Sequence, residues 1–397
     1  MNINYHYFAV KTLGLLAGLK EEVAQKIAYC SQMVDDFSCK RPIIFLREKP
    51  DDFFVENGIA SKWGDYYYFS PIRTAISFIR CLEPIHCKKT VVPFHFMPEN
   101  KIENVENVLK EYNGSYICKL AKGETFLIWD EVNKTVNRIK IAERIENADL
   151  DSNANCNYEI INLGMLFHVF ADTFAHYGFS GVHGKENWAE IEEVCLNGKK
   201  AGPVNSDSNF IPKVGHACLL HLPDAAGYTV QAMRWSNEDN TLKITDFRDN
   251  RTTFGKCSEQ IYLWLLDLRD KFSDGTEPKS WEEVKDLFLD TLCKASDNYT
   301  ETVDVAALTA IWKKAYSDYN YSYEKNIYNL SSSMEQIPDP YDKLTEEELE
   351  ILETGSFEDI EALGLLDKLV ITPSDDFFYY NKAAYEHRNK VIGHYKI

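Results

Sequence analysis

FHVFADTFAHYG, residues 167 to 178, sets His168, Asp172 and His176 four residues apart in a stretch that is otherwise apolar. Four residues advance an α-helix by just over one turn, so the spacing predicts a helix with three metal-capable side chains along one edge. Phe167, Val169, Phe170, Ala171, Phe174 and Ala175 leave little polar surface, which predicts a buried helix whose polar stripe faces other groups than bulk water. From His168 to His176 the helix rises ~12 Å, whereas zinc to nitrogen bonds are ~2.0–2.1 Å, so one ion cannot reach both ends. The pattern predicts one ion shared by His168 and Asp172 and another touched by Asp172 and His176, with the carboxylate bridging them. Mixed His and Asp donors without cysteine favour zinc, with manganese or iron as alternatives. The energetic reason is that a buried carboxylate needs compensation worth several kcal/mol, which a divalent cation supplies.

Helical periodicity surrounds this stretch. Apolar side chains recur at helical spacing over residues 5 to 17, with Gly18 as a C-terminal stop, and over 19 to 36, which ends in the pair Asp35 and Asp36. Ser70 and Pro71 open another candidate helix, SPIRTAISFIRCLE, within an otherwise Pro-punctuated region from 37 to 100. Segment 101 to 112 reads as helix, and 123 to 145 as a hairpin or a strand running into helix. RWSNEDNTLKITDFRDN, 234 to 250, has turn residues between two strand-like runs and predicts a hairpin. Strong helical periodicity returns in 257 to 272 and 280 to 295, in TEEELEILE from Thr345, and in NKAAYEHRNKVIG from Asn381. The expectation is a mainly α, multi-helical protein with small β-hairpin insertions. Residues 1–254 would form a helical metal-binding core, and 255–397 a helical segment either packed on that core or appended to it.

Sixty-two Asp and Glu against 43 Lys and Arg give a net charge of -19, which disfavours the phosphate-tracking groove of a long-nucleic-acid binder. Ten cysteines occur without a C-x-x-C pair, which excludes zinc-ribbon and thioredoxin-type motifs. The start lacks a basic region and a small-residue cleavage site, and no apolar run reaches ~18 residues, so a cytoplasmic protein without a transmembrane segment is expected. H-E-x-x-H, G-x-x-x-x-G-K-[ST], G-x-S-x-G and a His-Asp doublet are all missing, which removes the common zinc-protease, P-loop, serine-hydrolase and HD-phosphohydrolase readings.

Four of the ten histidines sit in apolar runs: His6 in NYHYF, His95 in PFHFM, His168 in LFHVFAD and His216 in VGHAC. His183, in a Gly-flanked loop, reads as a surface residue, and His387 and His394, on a polar C-terminal helix, as exposed. A His on the first helix, an acid ending the second, H-x-x-x-D on a later core helix with another His just after, and a further His with an acid downstream resemble the zinc-dependent phospholipase C and single-strand nuclease superfamily. An uncharacterised bacterial family of cytosolic proteins sharing NYHYFA, SQMVDD, PFHFMP and HVFADTFAH type motifs is the closer match. The resemblance covers about residues 1 to 230 and implies a helical fold with two or three zinc ions at the bottom of a cleft.

Carried over by resemblance, Asp36 or Asp35 would join His95, His168 and Asp172 at one site, His176 would join His216 and Asp224 at a second, and His6 would join Asp172 at a third. His221 competes with Asp224, because the loop HLPDAAG can present either. Three departures stand out: Asp172 and His176 are four residues apart where the superfamily has six, Asp36 and His95 are separated by a long insertion, and Met1 with four further residues precedes His6 where secreted members use the mature amino terminus as a ligand. The implied activity is metal-dependent hydrolysis of a phosphoric ester, a nucleotide or lipid head group being the substrate. In that reading Asp36 is the ligand and Asp35 orients the attacking water or takes its proton. The alternative is a non-catalytic, metal-stabilised helical binding or scaffold protein whose segment beyond 255 engages a partner of unknown kind.

Overall fold

The computed structural model describes residues 1–38, 44–76, 86–97, 141, 143–150, 156–182, 184–201, 213–236, 241–296, 304–330, 337, 340–354 and 357–395. The expected helix at 101–112, most of the 123–145 segment, and His183 lie outside them.

The apolar stretch of the opening motif folds as a 20-residue helix, Cys156–Ala175. A helix this apolar must be wrapped by others, and three long helices do this. They are Glu21–Asp36, Asn250–Asp267 and the C-terminal Asp375–Tyr395. In chain order we label Val10–Leu16 α1, Glu21–Asp36 α2, Val92–His95 α3, Cys156–Ala175 α4, Asn250–Asp267 α5, Trp281–Ala295 α6, Val305–Ala315 α7 and Asp375–Tyr395 α8. Gly164 sets the approach of α4 to α2: a Cβ there would lie 2.5 Å from the Ile27 carbonyl oxygen and 2.7 Å from Cys30 Cβ, so only glycine fits.

A π-helical turn, Asn4–Ala9, runs directly into α1 and is wholly buried. Single π-helical turns widen the helix locally and recur at functional sites. Here the turn is pinned from the C-terminal half of the chain. The Asn4 side chain donates to Leu292 O of α6 (3.1 Å) and accepts from the Trp312 indole of α7 (2.8 Å). One hydrophobic cluster accordingly contains residues from Met1 to Val391.

Among the described residues the strands of both sheets are antiparallel. Ile44–Leu46 (β1), Ala60–Trp63 (β2) and Tyr66–Phe69 (β3) form a sheet in the order β1-β3-β2. Ala189–Leu196 (β4), Lys199–Lys200 (β5), Tyr228–Ser236 (β6) and Thr241–Asp249 (β7) form a second in the order β5-β4-β6-β7. The β6 and β7 pair is the hairpin expected from 234 to 250, longer than the sequence suggests because β6 begins at Tyr228. The helix expected from Ser70 does not form over residues 70–76. Its backbone is committed elsewhere: Ile72 N–H donates to the Asn381 side chain (2.7 Å) and Thr74 N–H to Phe37 O (3.3 Å). Among the described residues no helix is long and apolar enough to cross a membrane.

Candidate metal centre

Four segments converge on the polar edge of α4. The π-helical turn brings His6, the end of α2 brings Asp35, α3 brings His95, and the loop between β5 and β6 brings His216 and Asp224. With His168, Asp172 and His176 they make three groups whose donor atoms lie within 4.8 Å of one another: His6, His168 and Asp172; Asp35, His95 and His168; His176, His216 and Asp224.

Asp172 is the hub. Its Oδ2 lies 3.2 Å from both His95 Nδ1 and His168 Nε2, and its Oδ1 lies 3.2 Å from His6 Nε2. Asp35 Oδ1 is 3.7 Å from His95 Nδ1 and 3.8 Å from His168 Nε2. In the third group His176 Nε2 is 3.0 Å and His216 Nε2 3.3 Å from the Asp224 oxygens. Donors bound at ~2.0–2.1 Å around a tetrahedral ion are ~3.3–3.4 Å apart, so these spacings match the edges of a coordination shell.

The histidine tautomers point the same way. A backbone carbonyl only accepts, so a ring nitrogen facing one carries the hydrogen. His168 Nδ1 donates to Ser31 O (2.8 Å), His176 Nδ1 to His95 O (2.8 Å), His216 Nδ1 to Leu220 O (2.8 Å) and His95 Nε2 to Thr74 O (2.9 Å). Each ring therefore turns its other nitrogen towards a carboxylate, and in the neutral form that nitrogen carries a lone pair. Two lone pairs facing each other at ~3 Å repel unless a proton or a cation lies between them, and a carbonyl behind each imidazole is the usual support of a metal-bound histidine. His6 adds an independent sign: it is fully buried, its Nδ1 has no hydrogen-bond partner, and its Nε2 lies 3.2 Å from Asp172 Oδ1 without a well-formed hydrogen bond. A buried imidazole so poorly satisfied is costly, and a cation at Nε2 lowers that cost.

Burial also favours the neutral form of His168, His216 and His6. It pushes His168 and His216 down to about 4, against the pull of Asp172 and Asp224 respectively, and lowers His6 well below the usual range. Burial would lower His95 too, but its bond to Asp172 and the charges of Asp35 and Asp172 outweigh it and raise it. Burial works to raise Asp172 and Asp224, yet facing His176 for the first and His216 for the second, with the Met1 ammonium, hold both below the usual carboxylate range.

The structure differs from the sequence-based expectations at several positions. Asp36, expected as the ligand, is turned away: it accepts from the Tyr323 hydroxyl and sits 3.9 Å from Lys325 Nζ. Its neighbour Asp35, the alternative ligand and the expected base, faces the His95 and His168 rings instead, because successive residues on a helix point ~100° apart. The free nitrogen of His176 faces Asp224 instead of sharing an ion with Asp172, because its Nδ1 is held by His95 O. His221 lies outside the three groups, packed edge-on against Tyr228 at 5.7 Å. His387, expected as exposed, is fully buried between Arg144 and Pro93 O. The Met1 α-nitrogen, which the sequence spacing gave no place, contacts Asp172 and lies 3.3 Å from Asp224 and 3.5 Å from His176 Nε2. Burial disfavours its charge, but Asp172, Asp224 and Asp35 prevail and raise it to about 10.

Phe96 closes one side, stacked on the His176 ring at 4.5 Å. Gly181 and Gly215 make room for it: a Cβ at either would come within 3 Å of the Phe96 side chain. The signal for Phe96 in the sequence is only its place beside His95, and nothing there marks Thr74 or Ser31.

The chain belongs to a family of unknown function, DUF6765, whose model matches residues 1–395. Searches of curated proteins and of solved structures return no match.

Proposed function

We propose that this protein is a metal-dependent phosphoric-ester hydrolase, and that it binds two or three divalent ions, zinc first among the candidates. The observation that carries the reading is the common orientation of four histidines, each with one ring nitrogen tied to a backbone carbonyl and the other directed at Asp35, Asp172 or Asp224. His and Asp donors without thiolate suit zinc, and manganese and iron are the alternatives. The resemblance to the phospholipase C and single-strand nuclease superfamily supports the same chemistry.

Bound ions would supply Lewis acidity towards a phosphoryl oxygen and increase the acidity of a water molecule. The residues of the chain do the rest. Asp35 is the most open of the three carboxylates, with 30% of its side chain exposed, so it is placed both to hold an ion and to accept a proton from the attacking water. Asp224 and His216, partly open, form the other accessible wall, and Phe96 excludes water from the His176 face. The net charge of -19 disfavours long nucleic acid, which leaves a small phosphomonoester or phosphodiester such as a nucleotide or a lipid head group.

One observation favours a second reading, a metal-stabilised protein without turnover. The His6, His168 and Asp172 group is almost wholly shielded, so an ion there would act on folding more than on substrate. Elemental analysis of the purified protein, followed by assays on phosphodiester, phosphomonoester and lipid head-group substrates with and without a chelator, separates the two. Bound metal with chelator-sensitive turnover supports the hydrolase, bound metal without turnover on any substrate supports the structural role, and a metal-free protein that takes up no added ion removes both.

A further inference from the structure

The ring of His95 and the carboxylate of Asp35 come from segments far apart in sequence, and one residue ties both to the C-terminal helix. Thr74 is fully buried in the non-helical stretch 70–76. Its carbonyl accepts the His95 Nε2 hydrogen (2.9 Å), and its hydroxyl donates to Val34 O (2.8 Å), the peptide that leads into Asp35. A hydroxyl has one hydrogen, so with that hydrogen given to Val34 O it accepts from Tyr380 on α8, whose hydroxyl oxygen is 3.2 Å away. The next residue of α8, Asn381, accepts from Ile72 N–H (2.7 Å) and anchors itself on Phe377 O (2.8 Å). Six residues further along, His387 Nε2 donates to Pro93 O (2.7 Å), inside the short helix that carries His95, while Arg144 donates to its Nδ1 (2.6 Å).

We propose that Thr74 and the α8 residues Tyr380, Asn381 and His387 are positioning residues for the Asp35, His95 and His168 group, so that docking of the C-terminal helix completes this ion site. The inference rests on the metal-binding part of the proposed function and adds how the site is assembled. Two clamps act on different things. Thr74 with Tyr380 and Asn381 sets the His95 ring and its distance from Asp35. His387 holds the α3 backbone, and therefore also the His95 carbonyl that orients His176. The first clamp serves one group, whereas the second serves two.

The test uses the full chain and zinc alone, with each equivalent followed by competitive chelator titration. Thr74→Val keeps the shape of the side chain and removes the hydroxyl. It should weaken one equivalent by roughly 10–100-fold, the range for loss of a group that supports a metal ligand, and leave the equivalent at His176, His216 and Asp224 unchanged. Thr74→Ser should restore it, and His387→Leu should weaken both. Equal weakening of every equivalent in Thr74→Val, or wild-type affinity throughout, overturns the proposal. If the wild-type chain binds no zinc, the metal reading fails while the clamp remains testable by nitrogen-15 NMR of the histidines. His95 should then be a single tautomer with its hydrogen on Nε2, and a mixture of tautomers in Thr74→Val. An unchanged His95 spectrum in that variant refutes the clamp.

Discussion

Replacing Gly164 with alanine should drive α2 and α4 apart and disturb the candidate centre from a distance. The added Cβ would sit 2.5 Å from Ile27 O and 2.7 Å from Cys30 Cβ, and ordinary contact begins at 3.4 Å, so the helices must separate by about 0.9 Å at that level. The obstacles are a backbone oxygen and a Cβ, neither of which can swing aside. Overpacking of this kind costs ~1–3 kcal/mol. At ~2.1 cal/mol/K per residue the unfolding entropy of a chain of this length is ~0.8 kcal/mol/K, so Tm should fall by ~1–4 °C in calorimetry. Asp35 lies eight residues beyond Ile27 on the same rigid helix, and its oxygen is already 3.8 Å from His168 Nε2. A comparable retreat there would take it beyond coordination distance, so metal affinity at the Asp35, His95 and His168 group should drop together with Tm. Gly393→Ala is the control: its Cβ meets nothing within 4 Å, and its exposed helical position should leave Tm unchanged or slightly higher. A Gly164→Ala protein as stable as wild type, with all its metal affinity, would refute the close helix approach and the coupling built on it.

Further outcomes follow from other contacts. His216→Ala should remove the metal equivalent shared with His176 and Asp224 and spare the other two groups, whereas Asp172→Asn should weaken both groups that contain His168; metal content per chain distinguishes them. Burial, aided by Arg144 and Lys390, pushes His387 down to about 3 from the ordinary value of 6.5. The unfolded chain therefore takes up this proton first, so stability contributed by the neutral ring is present above pH ~6.5 and lost as pH falls towards 3, at up to ~1.4 kcal/mol per unit. A His387→Gln variant should show a flatter acid limb in urea unfolding between those values, and an equally steep limb would contradict the buried neutral ring. Trp312→Phe leaves the buried Asn4 oxygen without its donor, so it should cost ~1–3 kcal/mol in chemical denaturation and loosen the turn that carries His6. Asp304 caps α7 by accepting from Ala306 and Ala307 N–H, so Asp304→Ala should cost about 1 kcal/mol without changing metal content.

Periodicity and turn signals are local properties, and they are enough to read α4, its polar edge, a hairpin over 234–250 and the C-terminal helix from the residues themselves, although not the start of β6 at Tyr228. The same edge, with histidines in four apolar runs, marks most of the candidate ligands in the sequence alone. What depends on rotation about an axis or on a distant carbonyl was not legible. Asp35 and Asp36 are neighbours with the same chemistry, and only the packing of α2 against α4 decides which one faces the centre and which one meets Tyr323. Residues 70–76 have the local signature of a helix, yet their N–H groups bind Asn381 and Phe37, a tertiary choice that also makes Thr74 the support of His95. His387 sits on a sequence-polar helix but is buried because Arg144 and Pro93 supply its two hydrogen bonds from elsewhere in the chain. Side-chain spacing along one helix is set by its own geometry, whereas the partner of each buried polar group is set by whichever remote backbone the fold brings within ~3 Å.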